Sequence, residues 1–313
     1  MRNKAKLISV VVPVYNGGHT VAELVERIIT TLDEEYDSYE LILVNDGSSD
    51  NSWQLITDLS HKHNGVVCGL NLMRNYGQHN ALLAGIRSCN GDVIVTIDDD
   101  LQHMPEDIPL LLNQLYKGND VVYGVPKKLN NSLFRNITSS FIKSVLIKSL
   151  GIKHAGETNS FRVFDSKLRE AFSEFKSPQV SIDVMLTWGA KNIDSIGIHH
   201  KERSLGSSGY SIKKLLKYAV TMITGFSTLP LRIASYIGFV FMLLGFCIFA
   251  YVSVRYFVNS ENVPGFAFLS SIIAIFSGVQ LFSLGVIGEY LASVHLRALN
   301  MPTYVIEEKV FKE

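Results

Sequence analysis

Residues 92–102 read Asp-Val-Ile-Val-Thr-Ile-Asp-Asp-Asp-Leu-Gln, an apolar run that ends abruptly on three carboxylates. The run predicts a strand over Asp92–Ile97, and Pro105–Tyr116 beyond it predicts a helix with proline in its first turn. The same rhythm extends backward. Leu7–Val14 predicts a buried strand, Val21–Leu32 a helix with apolar residues at helical spacing, Glu40–Val44 a strand, Ser52–His63 a helix, Val66–Leu70 a strand and Gln78–Ser88 a helix. Forward of it, Asp120–Tyr123 predicts a fifth strand. Alternating strands and helices define an α/β class with a mostly parallel sheet flanked by helices. Met1–Lys6 with Leu7–Val14 mimics a secretory leader, but the run is short, holds Pro13 and lacks a small-residue cleavage site, so the strand reading is preferred.

In such sheets, ligands bind beyond the carboxyl ends of the strands. Four polar segments should therefore meet on one rim: Tyr15-Asn16-Gly17-Gly18, Asn45–Asp50, Arg74–His79 and Asp98–Gln102. Clustered carboxylates repel unless a cation relieves them, and oxygen ligands suit Mg2+ or Mn2+. If the strand alternation continued, Asp98 and Asp100 would share one side with Gln102, and Asp99 would face the other. Asp46 at the end of the second strand is a candidate ligand contact, whereas Asp50 reads equally well as a helix cap. Neither G-x-G-x-x-G nor G-x-x-x-x-G-K-[ST] occurs, which excludes an ordinary dinucleotide enzyme or P-loop NTPase. His61, His63 and the adjacent pair His199-His200 are poorly spaced for zinc.

The 313 residues carry 29 Lys plus Arg and 29 Asp plus Glu, so nothing grips nucleic acid by bulk charge. Cys68, Cys89 and Cys247 offer no disulfide framework, and a reducing compartment fits. Charge is unevenly distributed: residues 231–291 hold only Arg232, Arg255, Glu261 and Glu289. Ile233–Val254 and Phe266–Gly288 are uncharged and, at about 33–35 Å as helices, each is long enough to span a bilayer. Lys213, Lys214, Lys217 and Arg232 precede the first span, and Arg297, Lys309 and Lys312 follow the second, which places both ends in the cytoplasm. Residues 206–230 read as an amphipathic juxtamembrane region, with Ile212, Leu215, Leu216, Ala219, Val220 and Ile223 on one face. The expected organisation is a body over 1–205, that region, spans over 231–257 and 266–291 around an external loop at 258–265, and a cytoplasmic tail over 292–313.

Taken together and in order, VVVPVYN (10–16), NDGSSD (45–50), RNYGQH (74–79), DDDLQHMPED (98–107), SFRVFD (160–165), HHKER (199–203) and STLPLR (227–232) resemble the family 2 inverting glycosyltransferases of GT-A fold. Within that family the chain looks like the membrane-anchored polyprenyl-phosphate glycosyltransferases. The resemblance implies a nucleotide-sugar donor, a UDP-sugar by expectation, held by Pro13, Tyr15, Asn16, Asp46, Asp98 and Asp99, with Asp46 on the base. It implies Asp98, Asp100 and Gln102 around the divalent cation and the diphosphate. Arg162 and Arg203 would bind phosphate groups, and Arg203 with Lys213, Lys214 and Lys217 would face an undecaprenyl-type phosphate acceptor at the cytoplasmic membrane. A homo-oligomer is a further expectation from such relatives. A different lipid-linked or hydroxyl acceptor, or a non-catalytic membrane scaffold, stays open. A processive polysaccharide synthase is disfavoured because Gln-x-x-Arg-Trp is absent.

The chain departs from the family pattern at Gly17, where relatives carry Glu, at Ser160, where relatives often carry Asp, and at Ser208-Gly209-Tyr210, where they often read Ser-Lys-Tyr. A phosphate monoester is already ionised near neutral pH and attacks with little help from a base. On that reasoning the Ser160 side chain is expected to be dispensable and Arg203 essential.

Overall fold

The protein is described from a computed structural model over residues 6–126, 159–177, 180–199, 227–259 and 265–310. Strand β1 (Ile8–Val14) is buried at all seven positions, as a central parallel strand covered on both faces must be. Helix α1 (Val21–Asp33) buries Val21, Leu24, Val25, Ile28 and Leu32, the stripe that its three- and four-residue spacing implies. Then follow β2 (Tyr39–Asn45), α2 (Ser52–Lys62), β3 (Val67–Leu72), α3 (Gln78–Ser88) and β4 (Val93–Thr96). The segment expected as one helix from Pro105 divides into a 3-10 turn, Pro105–Asp107, and α4 (Ile108–Tyr116). Strands β5 (Val121–Pro126), β6 (Arg162–Asp165) and β7 (Ile193–Ile198) complete this half, with α5 (Ile182–Thr187) between the last two.

Among the described residues the sheet has eight strands, in the order β7-β5-β6-β4-β1-β2-β3-β8. It is mixed. Pairs β1–β2, β1–β4, β2–β3 and β5–β7 are parallel, whereas β6 runs antiparallel between β4 and β5. Its insertion sets Thr96 opposite Arg162, a pairing that matters below. One apolar layer, around Val10, Leu24, Ile28, Leu112 and Val163, lies under α1, α2 and α4. The other, around Val11, Val44, Leu82, Ile86 and Phe164, lies under α3 and α5. Gly85 on α3 lies against Val11 and Val44 so closely that a methyl group there would overlap Val11.

The eighth strand comes from residues read in the sequence as a tail. β8 (Ile306–Val310) pairs antiparallel with β3, matching Gly69 to Val310 and Asn71 to Glu308. Contacts divide the chain into one unit of residues 1–209 with 300–313, and a second of residues 210–299. In the second unit, α6 (Leu229–Asn259) and α7 (Phe266–Ala298) are each apolar and long enough to cross a membrane, over Leu229–Val252 and Ile275–Ala298. Phe241 meets Phe276 edge-on between them, and Gly245 gives the Phe276 ring room to approach. Their outer faces expose Phe239, Phe246, Phe249, Leu281 and Leu284, an apolar surface far beyond what water tolerates on a monomer. Ser235 and Ser283 hydroxyls donate to carbonyls one turn back, so they leave no bare donor on that surface.

Candidate active site

The carboxyl ends of β1, β2 and β4 and the loop after β3 surround a cleft of about 300 Å3, lined by Pro13, Val14, Tyr15, Asp46, Asn75, Gly77, Gln78, Asp98, Asp99 and Asp100. Five of the residues expected from the sequence as donor contacts (Pro13, Tyr15, Asp46, Asp98 and Asp99) therefore meet there, together with Asp100. Asn16, the sixth, does not line the cleft. Its backbone takes a left-handed conformation (φ 53°), its amide N–H donates to Ser48 Oγ at 2.9 Å, and its side-chain oxygen accepts from Ser49 N at 2.9 Å. Asn16 thus ties the first strand-end loop to the second.

Asp46 is almost fully buried, and each carboxylate oxygen receives a backbone N–H: Tyr76 at 2.7 Å and Gly77 at 2.9 Å. Burial raises its pKa, and these two amide bonds oppose the rise. Asp46 therefore fixes the Asn75–Gly77 wall of the cleft. Each oxygen keeps a lone pair for a ligand donor.

The alternation expected for Asp98–Asp100 does not hold, because β4 stops at Thr96 and the three aspartates lie in a turn closed by Leu101 at φ 57°. All three line the cleft. Asp98 accepts Gln78 Nε2 on Oδ1 at 2.5 Å and the Ser160 hydroxyl on Oδ2 at 2.6 Å. Asp99 accepts Tyr15 N at 3.2 Å, and its carboxylate occupies the space that a side chain at residue 17 would need. The glycine there fits that approach. Asp100 accepts both the backbone and the side-chain amide of Gln102, at 3.1 and 2.6 Å. Gln102 is thus a partner that orients Asp100 and is not among the residues lining the cleft.

Burial dominates the acidities. Burial pushes Asp99 up to about 7, opposed by the Tyr15 amide and reinforced by Asp98 and Asp100. Burial also raises Asp98, against the Ser160 and Gln78 hydrogen bonds and the Arg162 charge. The donor set is all oxygen. Among the described residues no three His, Cys, Asp or Glu side chains are gathered to hold an ion unaided. One or two carboxylates completed by substrate phosphate oxygens is the mode in which Mg2+ or Mn2+ binds nucleotides, and Asp98 and Asp100 fit it.

Arg162 is placed differently from the expectation of a phosphate contact. Its side chain is buried on β6, where Nε donates to Thr96 Oγ1 at 3.1 Å, the guanidinium pairs with Asp183, and Tyr123's ring lies 5.9 Å away. It does not line the cleft and acts on it through its charge and the Thr96 bond. Arg203, Lys213, Lys214 and Lys217 lie outside the described residues, as does most of 206–230. His199 binds Asp107 through both its amide, at 2.9 Å, and its ring, at 3.2 Å.

Sequence reasoning did not assign roles to Asn75, Gln78, Thr96 or Asp183, and it treated Ser160 as a lost base. The signal for the first two was present: residues 74–79 follow β3 and had to reach the same rim.

A cleft at the strand ends of a Rossmann-like mixed sheet, lined by Asp98, Asp99 and Asp100, defines a GT-A glycosyltransferase domain. The chain belongs to glycosyl transferase family 2, whose model matches residues 9–175, and a GtrB C-terminal hairpin model matches residues 229–294. It is 33% identical over 310 residues to the undecaprenyl-phosphate 4-deoxy-4-formamido-L-arabinose transferase of Yersinia pestis (strain Pestoides F), covering 98% of this chain and 95% of that one. The enzyme of the same name from Yersinia enterocolitica is 34% identical over 312 residues, covering 99% and 95%. Among solved structures, glucosyl-3-phosphoglycerate synthase from Mycobacterium tuberculosis, crystallised with Mn2+, UDP and phosphoglyceric acid, shares the fold at TM-score 0.50 and 18% identity, covering 69% of this chain and 76% of that one.

Proposed function

We propose that this glycosyltransferase moves a single sugar from a nucleotide-sugar, a UDP-sugar in the first instance, to an undecaprenyl-type polyprenyl phosphate, with inversion. The observation that carries the reading is the convergence of Asp46 with Asp98, Asp99 and Asp100 on one cleft. The names of the full-length relatives support the acceptor. A phosphate oxygen of the lipid attacks the anomeric carbon as the bond from that carbon to the nucleoside diphosphate breaks. The products are a glycosyl phospholipid and free nucleoside diphosphate. Asp46 and the Asn75–Gly77 wall hold the base end of the donor, and Asp98 and Asp100 at the other end would hold a Mg2+ or Mn2+ ion. When bound, the cation neutralises charge building on the leaving diphosphate. The chain's part is to hold donor and attacking oxygen in line. Arg203, Lys213, Lys214 and Lys217 would offset the acceptor's charge.

We further propose that α6 and α7 form a two-span hairpin with the catalytic unit and both ends on the cytoplasmic side, supported by their apolar surfaces and the flanking Lys and Arg residues. The test is mass spectrometry of lipid products after the full chain, in membranes, is incubated with polyprenyl phosphate and a panel of nucleotide-sugars, with and without excess chelator. A glycosyl phospholipid formed only with divalent metal is the expected product. Absence of product across the panel, or full yield in chelator, overturns the reading.

A further inference from the structure

Asp98 stands two residues past the end of β4, on a turn with no ladder to hold it. A carboxylate so placed turns freely about its χ angles unless something fixes its plane. Two donors from two different elements do so, one on each oxygen: Gln78, the first residue of α3, and Ser160, just ahead of β6. Ser160 is itself immobilised. Its carbonyl accepts Thr96 Oγ1 at 2.6 Å, its N–H donates to Asn159 Oδ1 at 2.8 Å, and Thr96 Oγ1 in turn receives Arg162 Nε. Arg162 is locked by Asp183. The Arg162–Asp183 pair therefore connects through Thr96 and Ser160 to the cleft carboxylate.

We propose that Ser160 and Gln78 are positioning residues for Asp98, holding its plane so that the remaining lone pair on each oxygen serves the cation and diphosphate of the donor. The serine departs from the carboxylate that relatives often carry, and the structure shows the use of the change. A hydroxyl at residue 160 donates to Asp98, whereas a carboxylate there would only accept and would set like charges together. This rests on the function proposed above and runs against the expectation that Ser160→Ala costs little activity.

The test is calorimetric titration of the full-length chain with Mn2+ in the presence of UDP, GDP, CDP or TDP, run beside melting curves and steady-state kinetics. Ser160→Ala and Gln78→Leu should each weaken Mn2+ binding about tenfold or more while the melting temperature stays put, since partners of metal ligands are worth that much. Ser160→Thr should restore binding, and Ser160→Asp should not. The donor KM should rise with the Mn2+ Kd. If Ser160→Ala and Gln78→Leu both bind Mn2+ as the parent does, the positioning role is overturned and the glycosyltransfer reading stands. A parent that binds no Mn2+ with any of the four nucleotides overturns both. Gln78→Leu decides the matter alone should Ser160→Ala fail to fold.

Discussion

The indole Nε1 of Trp53 donates to Glu308 Oε2 at 3.0 Å, joining residues 255 positions apart, one on α2 and the other on the last strand. It belongs to a set of ties along that edge. Asn71 Nδ2 donates to Glu307, Met73 N to the Val305 carbonyl, and Arg87 reaches Thr303 and stacks near Tyr304. Asn71 also accepts Asn45 Nδ2 at 2.7 Å, and Asn45 Oδ1 accepts the amide of Ser48 in the second strand-end loop. The residues after α7 thus cover the open edge of β3 and brace the loops that form the cleft.

Truncation after Thr303 should therefore damage the catalytic unit. It strips the β3 edge of its partner and leaves an unpaired strand prone to association. The expected result is a melting temperature lower by several degrees, since each lost ladder bond is worth about 0.5–1.5 kcal/mol, and a larger soluble aggregate fraction. Trp53→Phe, which removes the indole donor together with the outer ring carbons that lie against Gly69, should cost about 1 kcal/mol or more. A truncated chain that melts with the parent would mean that β8 is an ornament.

How much of this could be read from the chain follows from where the information sits. β1 to β5 and their helices were legible because each is a local pattern: Val21, Leu24, Val25 and Ile28 declare a helix face without help. The rim was legible because polar residues follow apolar runs. β6, β7 and β8 were not, because Arg162–Asp165 and Ile306–Val310 mix charged with apolar residues and owe their pairing to strands distant in the chain. The facing of Asp98–Asp100 was misread for a related reason. Strand alternation was extended past Thr96 into a turn, where φ angles and contacts with Tyr15 and Ser160 decide direction.

Gly47 should tolerate no side chain. Its φ is +64°, and a Cβ there would overlap the backbone of Arg74 and Asn75, which cannot yield as a flexible side chain could. Gly47→Ala should push the 74–77 loop from Asp46 and break the Tyr76 and Gly77 amide bonds. The expected cost is about 2 kcal/mol or more in stability, with nucleotide affinity reduced alongside. Wild-type melting and wild-type nucleotide binding in this variant would show that the loop contact is not needed.

Cys89 should be inert in the folded chain. It is buried, and desolvation pushes its thiol up to about 12, with Glu40 adding to the rise and Ser9 and Arg169 opposing it. At pH 8 roughly one molecule in ten thousand would carry the thiolate that alkylating reagents need. Because the unfolded thiol ionises near ~8.5 and the buried one does not, the neutral form's contribution is intact below that pH. It is lost at about 1.4 kcal/mol per unit above it, up to the folded value. Iodoacetamide mapping at pH 8 should label Cys89 only after denaturant is added. Native labelling of Cys89 as fast as that of half-buried Cys68 would refute the burial.

Arg162 offers the sharpest separation between the role the family resemblance implies and the one its surroundings indicate. A phosphate-binding arginine is exposed to its ligand, and its loss raises KM while the fold survives. This guanidinium is 1% exposed and is bound by Asp183 and Thr96. Removing Arg162 strands the Asp183 carboxylate, which at 22% exposed keeps some solvent, so the cost should fall below the about 3–5 kcal/mol of a fully buried pair, and replacing both with apolar residues can recover much of that loss. Arg162→Met should therefore lower the melting temperature sharply, and Arg162→Met with Asp183→Leu should regain part of it. Any glycosyltransfer that the double variant retains should show a raised Mn2+ Kd, because the anchor behind Thr96 and Ser160 is gone. The opposite pattern, with Arg162→Met melting like the parent and losing only acceptor or donor binding, would return the residue to the phosphate-binding role.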